Sequence, residues 1–139
     1  MEMSTGYQVY DQQKTYYFTF QIVGWVDVFT RLDYRNIIIE SFDFCRKEKG
    51  LEIWAYVIMT NHVHAILSSK AGSLSDTVRD FKSHTAKRIM ELIKSNKESR
   101  REWMLEIFYK EAKKRDLKID ILKSKQNDNS IVETVINYH

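Results

Sequence analysis

The sequence contains no proline and only four glycines among its 139 residues. Proline and glycine are the strongest local signals of turns and helix ends, so the element boundaries must be predicted from periodicity and helix caps. The sequence also contains a single cysteine, Cys45, which cannot form an internal disulfide bond. This excludes a disulfide-stabilised scaffold and fits a reducing compartment. The neighbouring Phe42 and Phe44 predict that Cys45 is buried.

Long apolar runs are also missing. No stretch approaches the roughly 18 apolar residues that span a bilayer, and Met1–Tyr10 lacks the basic and then apolar pattern of a signal peptide. We therefore expect a cytoplasmic protein. The net charge is only +3, which is compatible with a nucleic-acid partner without indicating one. The length and the ordinary composition fit one globular domain.

The first half of the sequence predicts a strand followed by a helix. Thr15–Val23 is rich in β-branched and aromatic residues and is typical of a strand. Thr30 and Asp33 have the spacing of a capping box, which predicts a helix over Asp33–Lys49 with Gly50 at its left-handed end. The apolar face of this helix is predicted to contain Ile38, Ile39, Phe42 and Cys45.

Two further strands and a long helix are predicted next. Leu51–Met59 and His62–Ser68 are close enough in sequence to form an antiparallel hairpin. Ser73 and Asp76 again have capping-box spacing, and the residues after them predict an amphipathic helix. The apolar positions of that helix are Leu74, Val78, Phe81, Thr85, Ile89 and Ile93.

The C-terminal part is less regular. Lys94–Glu102 is a charged run that predicts a solvated loop. Trp103–Lys114 is predicted to be helical, Leu117–Ile121 alternates like a short strand, and Ile131–His139 is predicted to form one or two helical turns. Together the elements predict an α+β sandwich with a mainly antiparallel sheet.

His62 and His64 are the residues that point to chemistry. Residues two apart on a strand project from the same face, so the two imidazoles can bind one divalent ion together. Val63, Ala65 and Leu67 would then face the core. Asn61 adds a polar group at the start of the strand, and Tyr56 and Met59 come from the neighbouring strand. In an arbitrary protein, such a pair is more often packed or on the surface.

The surrounding sequence resembles a known family. The string MTNHVHAIL at residues 59–67 is similar to the signature of the IS200/IS605-type single-tyrosine transposases, in particular their REP-associated branch. Residues 74–85 resemble the family's helix after the histidine strand, and residues 17–20 resemble its first strand. The resemblance covers Thr15 to Lys114.

This resemblance implies a ferredoxin-like or palm-like sandwich with a mainly antiparallel sheet and helices on one face. It implies that His62 and His64 bind Mg²⁺ or Mn²⁺, which polarises the scissile phosphate of single-stranded or hairpin DNA. A tyrosine on a C-terminal helix then attacks phosphorus and forms a 5′-phosphotyrosine link. Compact relatives are dimers and REP-associated relatives are monomeric, so either a monomer or a homodimer is expected.

The resemblance leaves two candidates for the nucleophile. Tyr138 on a final helix is one candidate, and Tyr109, expected to be partly buried, is another. Glu133 or Asn137 could complete the metal ligands. The family pattern divides the chain into a transposase-like core at 1–115 and a divergent or truncated segment at 116–139. The alternative function is therefore a transposase remnant that binds hairpin DNA without cleaving it.

DNA contacts are expected from Asn61 and from basic residues on the helix after the histidine strand. These basic residues are Arg79, Lys82, Lys87 and Arg88. Any one of them can equally be part of an ordinary solvated helix face, and His84 on the same helix is interpreted as a surface residue. The aromatic residues of the first strand, Tyr16, Tyr17, Phe18 and Phe20, could stack on bases, although such alternation is more typical of a core. A third hypothesis is a structural or dimerisation domain in which the two histidines only pack.

Overall fold

The structure is a computed structural model that describes residues 9–95, 97–119 and 136–138. It is an α+β fold, as predicted. The strands are β1 (Tyr16–Ile22), β2 (Leu51–Ile58), β3 (His62–Ser69) and β4 (Ile136–Tyr138), and the helices are α1 (Leu32–Lys49), α2 (Leu74–Lys94) and α3 (Arg101–Ile119). Two short 3-10 turns, Val23–Trp25 and Val28–Thr30, connect β1 to α1.

The sheet has the strand order β2-β3-β1-β4, and its neighbouring strands are antiparallel. The predicted hairpin between β2 and β3 is confirmed, and its turn is closed by the Met59 N–H, which donates to the His62 carbonyl at 2.7 Å. The β2–β3 register shifts between Ile53 and Ala55, which makes Trp54 a β-bulge. A bulge bends its strand locally and re-aims the side chain it carries.

One face of the sheet packs against α1 and α2. Val63, Ala65 and Leu67 on β3 are at most 1% exposed, as the alternation predicts. Across this layer the ring of Phe81 on α2 lies 5.0 Å from Phe20 on β1. It also stacks on Phe42 of α1 at 4.6 Å. Burying an aromatic side chain of this size stabilises the fold by about 2 kcal/mol, so these rings fix how the helices lie on the sheet.

The limits of α1 show what local signals can and cannot predict. Gly50 ends the helix with a left-handed φ of 71°, as expected. The predicted capping box is wrong, because Arg31 is the N-cap residue and the Thr30 hydroxyl donates to the Asp27 carbonyl instead. The buried face was also misassigned at one position: Ile39 is 44% exposed.

The predicted apolar face of α2 is confirmed. All six of its residues are buried, namely Leu74, Val78, Phe81, Thr85, Ile89 and Ile93. Ser73 occupies the N-cap position, but its side chain makes no capping hydrogen bond. Cys45 is buried as predicted, and burial raises the pKa of its thiol to about 11. Of the two neighbouring phenylalanines, Phe42 is buried and Phe44 is exposed.

The charged run between α2 and α3 differs from a solvated loop in one respect. The Glu98 side chain is only 1% exposed and lies 2.8 Å from Arg31 and 2.9 Å from Arg100. The Tyr34 hydroxyl donates to the same carboxylate at 3.0 Å. Burial acts to raise the pKa of Glu98, but the hydrogen bonds from Arg100 and Tyr34 outweigh it and hold the pKa below its ordinary value. This cluster attaches the loop to the start of α1.

The C-terminal predictions are corrected in two places. The helix α3 continues to Ile119, so the strand predicted from Leu117 is wrong over the residues that the structure describes. The predicted final helix is wrong over Ile136–Tyr138, which form β4 along the edge of β1. Residues 120–135, with the candidate ligand Glu133, lie outside the described residues. Among the helices that are described, none combines the length and the apolarity needed to cross a bilayer.

Candidate metal centre and nucleic-acid face

The face of the sheet opposite α1 and α2 carries the two histidines. His62 and His64 are half-buried on β3 and alternate with the core residues of that strand, as predicted. Because cross-strand partners in an antiparallel sheet share a face, the β1 residues Gln21 and Thr19 lie beside them. Tyr17 follows two positions away along β1. We refer to this surface as the open face.

Asn61 orients His62. The Asn61 Oδ1 atom lies 2.8 Å from the His62 Nδ1 atom. An amide oxygen only accepts hydrogen bonds, so the neutral imidazole must carry its proton on Nδ1. Its Nε2 atom is then unprotonated and has a lone pair for a metal ion. The orientation of the Asn61 amide is set by its nitrogen, which donates to the Trp25 carbonyl at 3.4 Å.

The turn that carries Asn61 is held by backbone hydrogen bonds. The Ile22 N–H donates to the Asn61 carbonyl at 2.9 Å, and the Phe29 N–H donates to the Thr60 carbonyl at 2.9 Å. Trp25 has a left-handed φ of 56° although it is not glycine. Such a backbone conformation costs about 1–2 kcal/mol in an L-residue. The carbonyl that accepts the hydrogen bond from the Asn61 amide thus belongs to this strained residue, Trp25.

Two hydroxyl groups orient His64. The Tyr17 hydroxyl lies 2.6 Å from the His64 Nδ1 atom, and the Thr19 hydroxyl lies 3.1 Å from the same atom. The Tyr17 and His64 rings are also stacked, with centroids 5.5 Å apart. Since Nδ1 is engaged, Nε2 is the nitrogen that remains for another partner. The two histidines therefore have the same arrangement, because the Nδ1 atom of each is held by a neighbouring polar side chain.

The pair has the chemistry of an open divalent-metal site. The imidazole centroids of His62 and His64 lie 4.7 Å apart. Desolvation and the proximity of His64 lower the pKa of His62, so burial favours the neutral form that can act as a ligand. Within the described residues, no three His, Cys, Asp or Glu side chains converge on a metal position. Two imidazoles without a third such protein ligand among the described residues fit an open site and not a closed structural one.

Trp54 is an exposed aromatic residue on the same face. Its indole N–H donates to the Ser68 hydroxyl at 2.8 Å, and Ser68 in turn donates to Glu52 at 2.9 Å. Although 65% exposed, the indole is thus held in place by these bonds. Ile66 on β3 pairs with Ala55, the residue after Trp54, and also with Tyr17. The open face therefore carries two exposed aromatic side chains on either side of Ile66.

Two expected neighbours of the histidines are placed differently. Tyr56 pairs with Ala65, a core-facing residue, and its ring lies 5.2 Å from Phe42 on the helix side of the sheet. The expectation that Tyr56 accompanies the histidines is therefore wrong, because the bulge at Trp54 changes the alternation of β2. Met59 lies in the turn before β3 and is exposed.

The candidate nucleophiles are separated by the fold. Tyr138 pairs with Phe20, whose other neighbour is Val63, so positions 138, 20 and 63 form one row across the sheet. The adjoining row consists of positions 137, 21 and 62. Asn137, and not Tyr138, thus shares its row with His62. Tyr109 is exposed on α3 and not partly buried as expected.

The basic residues expected to contact DNA lie on α2, on the opposite side of the sheet from the histidines. Arg79 is exposed and paired with Asp76 at 3.3 Å, and Arg88 with Glu40 at 3.4 Å. Lys82 is only 8% exposed, and Lys87 is exposed. His84 on the same helix stacks on Phe44 at 5.6 Å. The structure does not bring these side chains together with His62 and His64.

The sequence analysis named Tyr17 as a possible base-stacking residue, but it did not find the contacts of Tyr17 and Thr19 with His64 or the position of Trp54 on the open face. The alternation Tyr-Phe-Thr-Phe over residues 17–20 does place Tyr17 and Thr19 on the face away from the buried Phe18 and Phe20. This alternation predicted the face of Tyr17 and Thr19 but not their contact with His64. That contact depends on the register between β1 and β3, which is a long-range feature. Trp54 could not be assigned to a face without the bulge.

The model of one protein family, described as "Transposase IS200 like", matches residues 16–126 of the chain. The match begins with β1 and includes the histidine strand and all of α3. No curated protein matches the chain, and no solved structure does.

Proposed function

The chain belongs to the IS200-like transposase family, and on that premise we propose that it cleaves and rejoins single-stranded DNA with a divalent ion held by His62 and His64. The observation that carries this proposal is the matched arrangement of the two histidines. Both have Nδ1 engaged by a neighbour and lie side by side on the open face, so both Nε2 atoms remain for one ion.

The ion proposed here is Mg²⁺ or Mn²⁺. When bound, it would polarise the scissile phosphate and neutralise charge that develops on its oxygens. The chain itself supplies the two imidazole nitrogens, and desolvation lowers the pKa of His62, which favours its neutral form. Asn61, Tyr17 and Thr19 keep the two rings from rotating. Substrate oxygens and water would complete the coordination.

We propose that single-stranded DNA lies along the open face. Trp54 and Tyr17 offer exposed aromatic rings to unstacked bases on the side of the sheet that carries the histidines. Asn61, at the start of β3, is proposed to border the same path. Arg79, Lys82 and Lys87 lie across the sheet, so contacts with them would involve a different part of the DNA, such as the paired hairpin stem.

The chemical step requires a tyrosine nucleophile, for which Tyr138 is the proposed residue. Its phenol oxygen would attack phosphorus and lose its proton, while the bond from phosphorus to the 3′ oxygen breaks and that oxygen gains a proton. The product is a 5′-phosphotyrosine and a free 3′-hydroxyl, and the reverse reaction rejoins DNA. Tyr138 pairs with the core-facing Phe20, in the row next to that of His62, so this step requires its phenol to reach the open face.

Incubation of the purified chain with Mn²⁺ and a labelled hairpin oligonucleotide with a single-stranded arm tests this proposal. We expect a covalent protein–DNA adduct that survives denaturing electrophoresis and disappears in His62→Ala and in Tyr138→Phe. Tyr10→Phe is the matched control, because it removes the hydroxyl of an exposed tyrosine that is not a candidate nucleophile. An adduct that persists in Tyr138→Phe would assign the nucleophile elsewhere, and mass spectrometry of the adduct would identify it. No adduct from the wild-type chain, with hairpin binding intact, would contradict cleavage.

The alternative is a protein that binds hairpin DNA without cleaving it. One observation favours this alternative: Tyr138 shares its row with the core-facing Phe20 and Val63, whereas Asn137 shares the row of His62. Under this alternative, hairpin affinity would be the same in Tyr138→Phe and in the wild type, and the covalent adduct would be missing from both.

A further inference from the structure

Tyr17 has an unusual environment for an exposed residue on a sheet. Its side chain is 51% exposed, yet its hydroxyl makes a short 2.6 Å contact with the His64 Nδ1 atom. Its ring is nearly parallel to the imidazole, with an interplanar angle of 28°. The hydroxyl of Thr19, on the same strand and face, approaches the same nitrogen at 3.1 Å. Two hydroxyl groups of β1 therefore converge on one atom of His64.

The partners of the two histidines differ in chemistry. Asn61 presents an oxygen that only accepts, so it fixes the proton of His62 on Nδ1. A hydroxyl can either donate or accept, so Tyr17 and Thr19 can hold His64 in either tautomer. A metal ion at the His64 Nε2 atom requires the proton on Nδ1, and both hydroxyl oxygens can then accept it. The tautomer of His64, unlike that of His62, is therefore not fixed by an acceptor-only partner.

We propose that Tyr17 is a positioning residue for the metal centre, an inference that rests on the proposed function. Its hydroxyl, assisted by that of Thr19, holds the His64 ring in the orientation that presents Nε2 to the ion, and it can accept the Nδ1 proton when the ion is bound. Hydrogen bonds of this kind to metal-bound histidines fix the tautomer and raise the basicity of the ligand. Tyr17 is not placed as the nucleophile, because its hydroxyl lies at the imidazole nitrogen that does not face the ion.

The experiment compares Mn²⁺ binding to the full chain, without DNA, by calorimetry. Tyr17→Phe keeps the stacked ring and removes only the hydroxyl, and we expect it to weaken Mn²⁺ binding about tenfold. Thr19→Val should have a smaller effect, and the double variant should approach His64→Ala. Tyr109→Phe is the matched control and should bind like the wild type. Circular dichroism verifies that each variant is folded.

Nitrogen NMR of the histidine rings supplies a readout that general destabilisation does not change. With diamagnetic Mg²⁺, the Nε2 resonance of His64 should shift in the wild type, and in Tyr17→Phe this shift should be smaller relative to that of His62. Unchanged Mn²⁺ affinity together with an unchanged His64 Nε2 shift in Tyr17→Phe would overturn the role of Tyr17 and leave the proposed function standing. If the wild type shows no Mn²⁺ binding that depends on His62 and His64, the proposed function fails, and the inference fails with it.

Discussion

Trp54 donates its indole N–H to the hydroxyl of Ser68 at 2.8 Å while most of the indole remains exposed to solvent. An aromatic ring that is both exposed and fixed loses little conformational freedom when a partner stacks on it. The β-bulge at Trp54 and the bond to Ser68 together place the ring on the face that carries His62 and His64.

If DNA lies on this face, Trp54→Ala should weaken binding of a single-stranded oligonucleotide by about 1–3 kcal/mol, the usual contribution of one stacked base. Fluorescence anisotropy with a labelled oligonucleotide measures this. The control is Trp103→Ala, which removes an exposed tryptophan from α3. Equal effects of the two substitutions would argue against stacking on the open face. Ser68→Ala should cause a smaller loss, because the indole is still present but no longer fixed.

Asn61 should affect metal binding without contacting the ion. In Asn61→Ala the acceptor of the His62 Nδ1 proton is lost, so we expect Mn²⁺ affinity to fall about tenfold. Asn61→Asp keeps an acceptor in the same position and should retain the affinity. Calorimetric titration distinguishes these outcomes, and an equal loss in both variants would indicate that the amide acts through the Trp25 carbonyl instead.

The buried Glu98 cluster predicts a pH dependence of stability. The pKa of Glu98 is held below its ordinary value of 4.5, so the unfolded chain takes up a proton at a higher pH than the folded chain. The stability contributed by Glu98 is therefore complete above about pH 4.5 and is lost as pH falls through the lower, folded-state pKa. We expect Glu98→Gln to lower the free energy of unfolding at pH 7 by about 2 kcal/mol. Urea denaturation from pH 7 to pH 3 should show a smaller decrease for this variant than for the wild type, and parallel curves would contradict the prediction.

Gly24 and Gly50 form a matched pair for measuring a steric requirement. Both have a left-handed φ, 68° and 71°. A Cβ atom at Gly24 would collide with the Ile107 side chain of α3, whereas at Gly50 the nearest atom would be 3.6 Å away. Both alanine variants should lose about 1–2 kcal/mol from the backbone conformation, and Gly24→Ala should lose more because of the collision. Chemical denaturation measures the difference, and equal losses would show that Ile107 moves aside.

The sequence was sufficient for the elements whose signals are local. The hairpin of β2 and β3, the helix α2 and the end of α1 at Gly50 followed from alternation, three- to four-residue periodicity and a glycine stop. The face of the two histidines followed from the same alternation, because a strand has only two faces. The family resemblance noted at residues 59–67 lies within the matched range 16–126.

Errors occurred where a local signal competed with another local hydrogen bond or with tertiary contacts. Thr30 has the spacing of a helix cap but bonds to Asp27. The residue types of Ile136–Tyr138 are compatible with a helix or a strand. They form a strand because they pair with the edge of β1. Ile39 was assigned to the core although α1 turns that side toward solvent. The bond of Thr30 to Asp27 is local, whereas the pairing of Ile136–Tyr138 and the exposure of Ile39 depend on tertiary packing, which neither periodicity nor propensity contains.

By itself, the sequence determined that the chain is an α+β domain with His62 and His64 together on a face turned away from the core, because side-chain alternation along a strand is a property of the backbone. The partners of those histidines were decided by the tertiary structure alone. Only the antiparallel register of β1 and β3 brings Tyr17 and Thr19 to His64, and only the bulge in β2 places Trp54 on the same face. Register depends on how whole strands pair, and a shift by one residue would have exchanged the two faces.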